Sequence, residues 1–572
     1  MTRNASRLAA LLVLLLSVSA CASIPESSEP RAVKDVGGGN TTRQQSPKPN
    51  GSDPLALVRS FVDSAAYPES GHEAARLHLD QRHYGSWSPP SGLLIVENVD
   101  TIPTAQPAPL PDGVQLVTVQ ADKVGRLLAD SSFIPEHGEF SMQVRVERRA
   151  DGDWRIVTPP PQLVASKNSF TKVYRPVPVY FLDHDLTGVA PDLRYVVAQP
   201  SSTLPRRVID LLTTGPSVSM RDSLRTAIPR GVQPKTNTSE ARDGALEVNL
   251  SQLGEVPPET RRLIAAQVVF SLQSVSNARV RLKEEGMPLL ADGKDLRPTD
   301  LAQYELDNQP RTDLPGLAVV SERLVTLDQR ASPIPGPAGS GEYDVVRAGQ
   351  SPRGDRLAAV TRRPGGVVLR VGDFGETMPE TAVAGAYMSK PTWSDESEVW
   401  TVVDSRDVVR LVEREGQWQQ QRVDAGALGQ GKPISDLRLS NDGTRAAAIV
   451  DGTIVVAGVT EQNGRATLKN PVALPAPQRL NVTTLEWRTN EALAVATDSN
   501  TVPIYDVSAD GFRWQPYTAS NLGQPVNTVA VAPGGKVVVA DGTAIWESSD
   551  TDDVWALMPV PIGGASIPFY PG

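Results

Sequence analysis

One thiol serves the whole 572-residue chain, Cys21. A thiolate is the nucleophile a protein uses for acyl, alkyl and disulfide chemistry. Cys21 ends the run LLVLLLSVSAC, so it is preceded by apolar and small residues and has no base beside it. Histidine is the side chain best suited to proton transfer near neutral pH. The five histidines are His72, His78, His83, His137 and His184, all in the first third of the chain. On a helix His78 would lie about 120° from His72 and His83 would return to the His72 face. The i, i+4 pairing of a helical zinc site is therefore missing, and the three read as surface or helix-end histidines. Asp183-His184-Asp185 reads as an acidic turn, and Glu284-Glu285 and Asp552-Asp553 read as solvated charges. The C-terminal half holds neither a histidine nor a G-x-S-x-G elbow, which removes a His-based triad there. There is no P-loop and no G-x-G-x-x-G; the GGG at 37–39 precedes no helix. No catalytic residue, metal site or cofactor site is expected, and Cys21 stands alone as a chemical site.

The elements around Cys21 say what it is for. Arg3 and Arg7 form a positive n-region, Leu8 to Leu16 is an uncharged stretch of nine residues, and Ser17 to Ala20 are small or mid-sized. A spanning helix needs roughly 20 apolar residues, so residues 1–20 read as a secretory signal peptide. Val18-Ser19-Ala20-Cys21 resembles the lipobox of bacterial lipoproteins. That resemblance implies cleavage before Cys21, diacylglycerol on its sulfur and an acyl chain on its amino group. Two lipid signals on one residue meet the requirement for stable anchoring. The alternative is a plainly secreted protein in which Cys21 is incidental. In either case the exported chain has no second thiol, so its folding rests on core burial without a disulfide. Residues 22–52 are dominated by Ser, Pro, Gly, Asn and Gln, and 21–52 is expected to be the lipidated cysteine and a disordered tether.

About 520 residues follow, enough for three or four domains. The formal charge is −10, and residues 321–572 carry 22 basic against 30 acidic side chains. Without a Lys/Arg-rich run, nucleic acid is a poor partner. The first region, 53–165, opens with Asp53 as N-cap and Pro54 at the first helical position. Leu55, Val58, Phe61, Val62 and Ala65 then recur at helical spacing. Strand-like runs follow, with Asp151-Gly152 as a hairpin turn before Trp154. Helices followed by a meander resemble an α+β NTF2-like domain. The second region, 170–295, runs strand, helix (LPRRVIDLLTT, ended by Gly215), short strand (SLRTAIPRG), hairpin with Asp243-Gly244 at its turn, amphipathic helix (PPETRRLIAAQVVFSLQSV) and strand. This order, with Arg206-Arg207, LLTTGPS, AIPRG and QVVFSLQSVSNARVRL, resembles an α+β GerMN domain.

The third region, 317–572, repeats. Polar turns at Ser351, Ser394, Ser440, Arg488 and Ala532 each lead into a short apolar strand, at intervals of about 43 to 48 residues. Each turn would feed an inner strand, and the period suits four strands, one blade of an all-β propeller. Seven of the nine tryptophans fall here, where they can pack between blades. Five copies plus GLAVVSERLVTLD suggest six blades, that early strand pairing with the C-terminus; five or seven blades stay open.

Taken together, lipobox, tether, NTF2-like part, GerMN-like part and propeller resemble the LpqB lipoprotein family of actinobacteria. The resemblance implies a non-enzymatic envelope protein on the extracytoplasmic face of the cell membrane. It also implies a partner, the extracellular domain of an MtrB-like sensor histidine kinase of the MtrA–MtrB system. The alternative is a cell-wall carbohydrate-binding or hydrolytic lipoprotein, which would need a propeller pocket lined by carboxylates and Trp faces.

Overall fold

The computed structural model describes residues 46–88, 91–105, 109–236, 238–306, 311–563 and 565–572. The signal segment, Cys21 and most of the expected tether lie outside the described residues.

The amino-terminal part is built on the helix Pro54–Ser64. Asp53 caps it, accepting a hydrogen bond from the Ala56 amide at 2.7 Å, and Pro54 occupies the first turn. Leu57, Val58, Phe61 and Val62 fall on one face at helical spacing and are buried. That face covers a sheet in which Leu93–Pro103, Val114–Leu127, Glu139–Arg148 and Trp154–Ile156 pair antiparallel in succession. Gly152, at φ +93°, makes the last turn. A short strand not foreseen from the sequence, Val164–Ser166, pairs parallel to Leu93–Pro103 at the opposite edge. Residues 47–51, expected in the tether, run along this domain instead. The Trp154 amide donates to the Gly51 carbonyl at 2.8 Å, and Ser60 Oγ donates to the Lys48 carbonyl at 3.1 Å.

The middle part pairs Tyr174–Leu182 antiparallel to Val189–Val197. A second sheet joins Leu246–Ser251 in parallel to Val280–Glu284. The helix Pro258–Gln273 connects these last two strands. The sequence predicts it to be amphipathic, yet Ile264 to Leu272 are all buried. The strand Tyr174–Leu182, the helix Leu204–Thr214 and the 3-10 turn Pro298–Tyr304 pack around it, so only its ends, at Pro258, Glu259, Arg262 and Gln273, are exposed. Its polar residues bond internally: Ser271 Oγ donates to the Gln267 carbonyl at 2.6 Å and accepts from the Tyr180 amide at 2.8 Å. SLRTAIPRG is not a strand. It contributes one isolated bridge, Arg225 to Leu182, because Pro229 and the turns around it stop the ladder.

Beyond residue 316 come five four-stranded antiparallel sheets in succession, spanning 345–385, 392–422, 434–474, 482–516 and 528–557. A further three-stranded sheet joins Leu317–Val320 to Arg323–Thr326 on one side and to Ile567–Phe569 on the other. The pairing of the early strand with the C-terminal one is thus present. The first strand of each four-stranded sheet touches that of the next, and Ile567–Phe569 touches both the first and the last of them, so these strands close a ring. One expectation needs correction. The apolar strands after the polar turns, such as Arg445–Val450 and Ala492–Thr497, are second from the axis. The innermost strands precede the turns. The second strands are flanked by sheet on both edges and covered by neighbours on both faces, which explains their unbroken apolar character.

Candidate functional site

Cys21, the one site residue expected from the sequence, lies outside the described residues. The histidines do not converge, and among the described residues no group of His, Cys, Asp and Glu is placed to hold a metal ion. Asp183 is spent on its own turn, accepting from the Thr187 and Gly188 amides at 2.7 and 2.9 Å, while His184 faces the Arg225 guanidinium.

His78 departs from the surface reading. It is fully buried, edge-on to Phe61, with Nδ1 3.0 Å from the Ala74 carbonyl and Nε2 2.8 Å from Ser60 Oγ. Burial pushes its imidazole down to about 4, outweighing the carbonyl contacts, and the Arg155 charge adds to the fall. The folded pKa lies below the ordinary value near 6.5, so the unfolded chain takes up a proton first as pH drops. The stabilisation is whole above pH 6.5 and is lost as pH falls toward 4. A loss of about 3 kcal/mol from the amino-terminal domain is expected over that window. Thermal melts of wild type and His78→Gln at pH 7 and pH 4.5 check it: the variant's pH dependence should be the flatter.

Two constellations that sequence reasoning missed lie in and around the ring. The first is the seam between the ring and the rest of the chain. Phe512 sits in the turn after Ile504–Ser508 and inserts its ring between Phe133, Phe170 and Tyr195, at centroid distances of 5.0, 5.3 and 5.3 Å. Beside it Tyr195 donates its hydroxyl to Asp510 Oδ2 at 2.8 Å. Burial raises the pKa of both groups, and the tyrosine also feels the neighbouring carboxylate. Arg445 donates to the Pro191 carbonyl, and Asn470 to Asp222 at 3.0 Å. The seam encloses a cavity of about 50 Å³ lined by Asp192, Arg445, Glu491 and Asp510, too small for anything much larger than water. A larger open cleft of about 640 Å³ lies in the amino-terminal domain, beside Arg59, Asp63, Glu97 and Lys167. Several of its charges are used internally: Lys167 pairs with Glu97 at 3.1 Å, and Asp63 accepts from Ser166 and Ser169.

The second constellation links three of the ring's sheets at their inner edge. Lys390 of the second four-stranded sheet meets Glu486 of the fourth at 2.7 Å. The pair joins two sheets that are not neighbours in the ring and passes in front of the third. Arg438 of the third sheet completes the group, with Nε 3.3 Å from Glu486, Nη2 3.0 Å from Asp436 and Nη1 donating to the Lys390 carbonyl at 2.8 Å. None of the four side chains is more than 18% exposed. Burial lowers the Lys390 pKa and raises that of Asp436. For Glu486 burial would do the same, but Lys390 and Arg438 more than offset it and hold the carboxylate ionised.

Comparison with known proteins fits this layout. A family model described as the lipoprotein LpqB β-propeller domain matches residues 322–571, and one for the lipoprotein LpqB N-terminal domain matches 47–171. The chain belongs to the LpqB lipoprotein family. Lipoprotein LpqB of Mycolicibacterium smegmatis is 31% identical over 99% of this chain and 100% of its own length. That of Nocardia farcinica is 30% identical over 100% of both, and that of Rhodococcus jostii 29% over 99% and 97%. The LpqB N-terminal match begins at residue 47, where the structure first presses the chain against the domain. The LpqB propeller match takes in all five four-stranded sheets and, with them, the Lys390–Glu486 pair. The relatives are named as lipoproteins, which implies membrane anchoring; among the described residues no helix is long and apolar enough to cross a membrane.

Proposed function

We propose that this chain is a non-enzymatic lipoprotein, held by acylated Cys21 on the extracytoplasmic face of the cell membrane, that modulates an MtrB-like sensor histidine kinase through its extracellular domain. In the same reading the ring is a six-bladed propeller, the amino-terminal part is NTF2-like and the middle part GerMN-like. What supports the reading is the lipobox-like run Val18-Ser19-Ala20-Cys21, together with buried ionisable pairs such as Tyr195–Asp510 and Lys390–Glu486 that are engaged with each other. Anchoring raises the local concentration of the protein beside a membrane-embedded partner, with no added contact. Against the carbohydrate reading, Trp393 and Trp487 are buried within the propeller and offer no stacking face.

Cys21→Ser is expected to shift the protein from the membrane to the soluble fraction, leave the circular dichroism of the folded body unchanged and lower the kinase's output in cells. Fractionation with mass spectrometry of the mature N-terminus checks the anchor. Crosslinking to the kinase ectodomain in membranes checks the partner. Full membrane retention of the serine variant would end the anchoring argument.

A further inference from the structure

The innermost strands of the propeller bring charged side chains together at two levels. Two residues before each repeat's turn stand Gly349, Thr392, Arg438, Glu486 and Ala530; four residues before it stand Arg347, Lys390, Asp436, Thr484 and Thr528. The Lys390–Glu486 contact joins the two levels, and the Arg438 guanidinium lies beside it. Gly349 is required there, since a Cβ would come within 2.5 Å of the Pro391 carbonyl oxygen.

Three cations, Arg347, Lys390 and Arg438, share the channel with two carboxylates, Asp436 and Glu486. The side chains at these two levels are thus one carboxylate short of balance. The unmatched cation is Arg347, which forms no hydrogen bond or ion pair with the described residues. Its guanidinium lies 4.9 Å from the centre of the Tyr387 ring, and the Tyr387 hydroxyl is itself fixed by donating to the Ser435 carbonyl at 2.9 Å. Stacking holds a guanidinium by its face and leaves its N–H edge free for a bidentate acceptor. The half-buried Thr484 and Thr528, at the same level, have hydroxyls that bond to none of the described residues. In three of the sheets the ladder also slips by a bulge just before this level, between Val345 and Arg347, Ile434 and Asp436, and Val482 and Thr484. Bulges of this kind re-aim side chains and recur beside binding sites.

We propose that the mouth of the channel is a docking site for a carboxylate carried on an extended peptide segment of a protein partner. Arg347 receives the carboxylate, Thr484 and Thr528 supply further hydrogen bonds, and the Lys390–Arg438–Glu486 floor limits entry to one side chain. The inference rests on the reading of this chain as a protein-binding accessory, and it names the surface that would be used.

The test uses the full-length lipidated protein in detergent and two dye-labelled peptides, acetyl-Gly-Gly-Asp-Glu-Gly-Gly-amide and its Asn-Gln counterpart. The acidic peptide is expected to bind at least tenfold more tightly by fluorescence anisotropy, and less tightly as salt rises. Arg347→Glu should abolish the preference and Arg347→Gln should reduce it, both with unchanged melting temperatures. Arg465→Glu, on an exposed outer strand, should leave it intact. Equal binding of the two peptides by wild type, or an undiminished preference in Arg347→Glu, overturns the proposal. A kinase-ectodomain capture run in parallel separates the two ideas: no capture by wild type, with the peptide preference present, fails the functional reading alone.

Discussion

Replacing Phe512 by alanine is expected to loosen the propeller from the amino-terminal domain without unfolding either. The ring belongs by sequence to the propeller, yet its neighbours Phe133, Phe170 and Tyr195 belong to the core and edge of the other parts. Truncation removes the three ring contacts and leaves a gap that Phe133 and Phe170 cannot fill without moving. Phe→Ala in a core costs about 3–5 kcal/mol. Phe512 is only partly buried, so a loss of about 3 kcal/mol is the expectation. The remaining polar contacts, Tyr195 to Asp510 and Asn470 to Asp222, would be opened to water and so weakened. Calorimetry should show one transition in wild type resolving into two in the variant, and small-angle scattering should show a larger radius of gyration. A single unshifted transition with unchanged scattering would mean that other contacts carry the seam.

Glu486→Ala should strike the propeller harder than most core truncations. The substitution strands Lys390 and Arg438 beside each other with only Asp436 to answer them, all nearly out of water. Breaking a buried ion pair by removing one partner costs about 3–5 kcal/mol, because the other charge is left uncompensated. For a domain of this size that is roughly 10 °C in melting temperature. The paired change Lys390→Met with Glu486→Leu should recover most of the loss, since it removes both charges and leaves Arg438 with Asp436. Thermal melts of the single and double variants decide the matter. An additive loss in the double variant would show that packing, and not charge balance, is what Glu486 supplies.

Much of the fold was legible because it depends on local pattern. Asp53-Pro54 announces a helix start by capping chemistry alone, and the polar turns at Ser351, Ser394 and Ser440 recur because each sheet needs the same reversal. The innermost strands were harder to see. Their positions two and four residues before the turns hold Gly, Thr, Arg, Glu and Ala, or Arg, Lys, Asp, Thr and Thr, so no periodic signal marks them. Charges from sheets about fifty and a hundred residues apart become neighbours only when the ring closes. His78 was misread for a related reason. Three histidines in one polar stretch look like surface, but the turn before Asp80 rolls His78 inward against Phe61 and Ser60. Helix Pro258–Gln273 looks amphipathic, yet Ile264 to Leu272 are buried without a break, and Gln267 and Ser271 among them are internal hydrogen-bonding groups.

The stretch 47–51 also has a mechanical meaning. Any tension travelling down the chain from residue 46 reaches the fold where the Gly51 carbonyl holds the Trp154 amide and where Ser60 grips Lys48. Those bonds tie the last hairpin and the first helix to the entering stretch, so a load arriving there is shared between two elements of the amino-terminal domain.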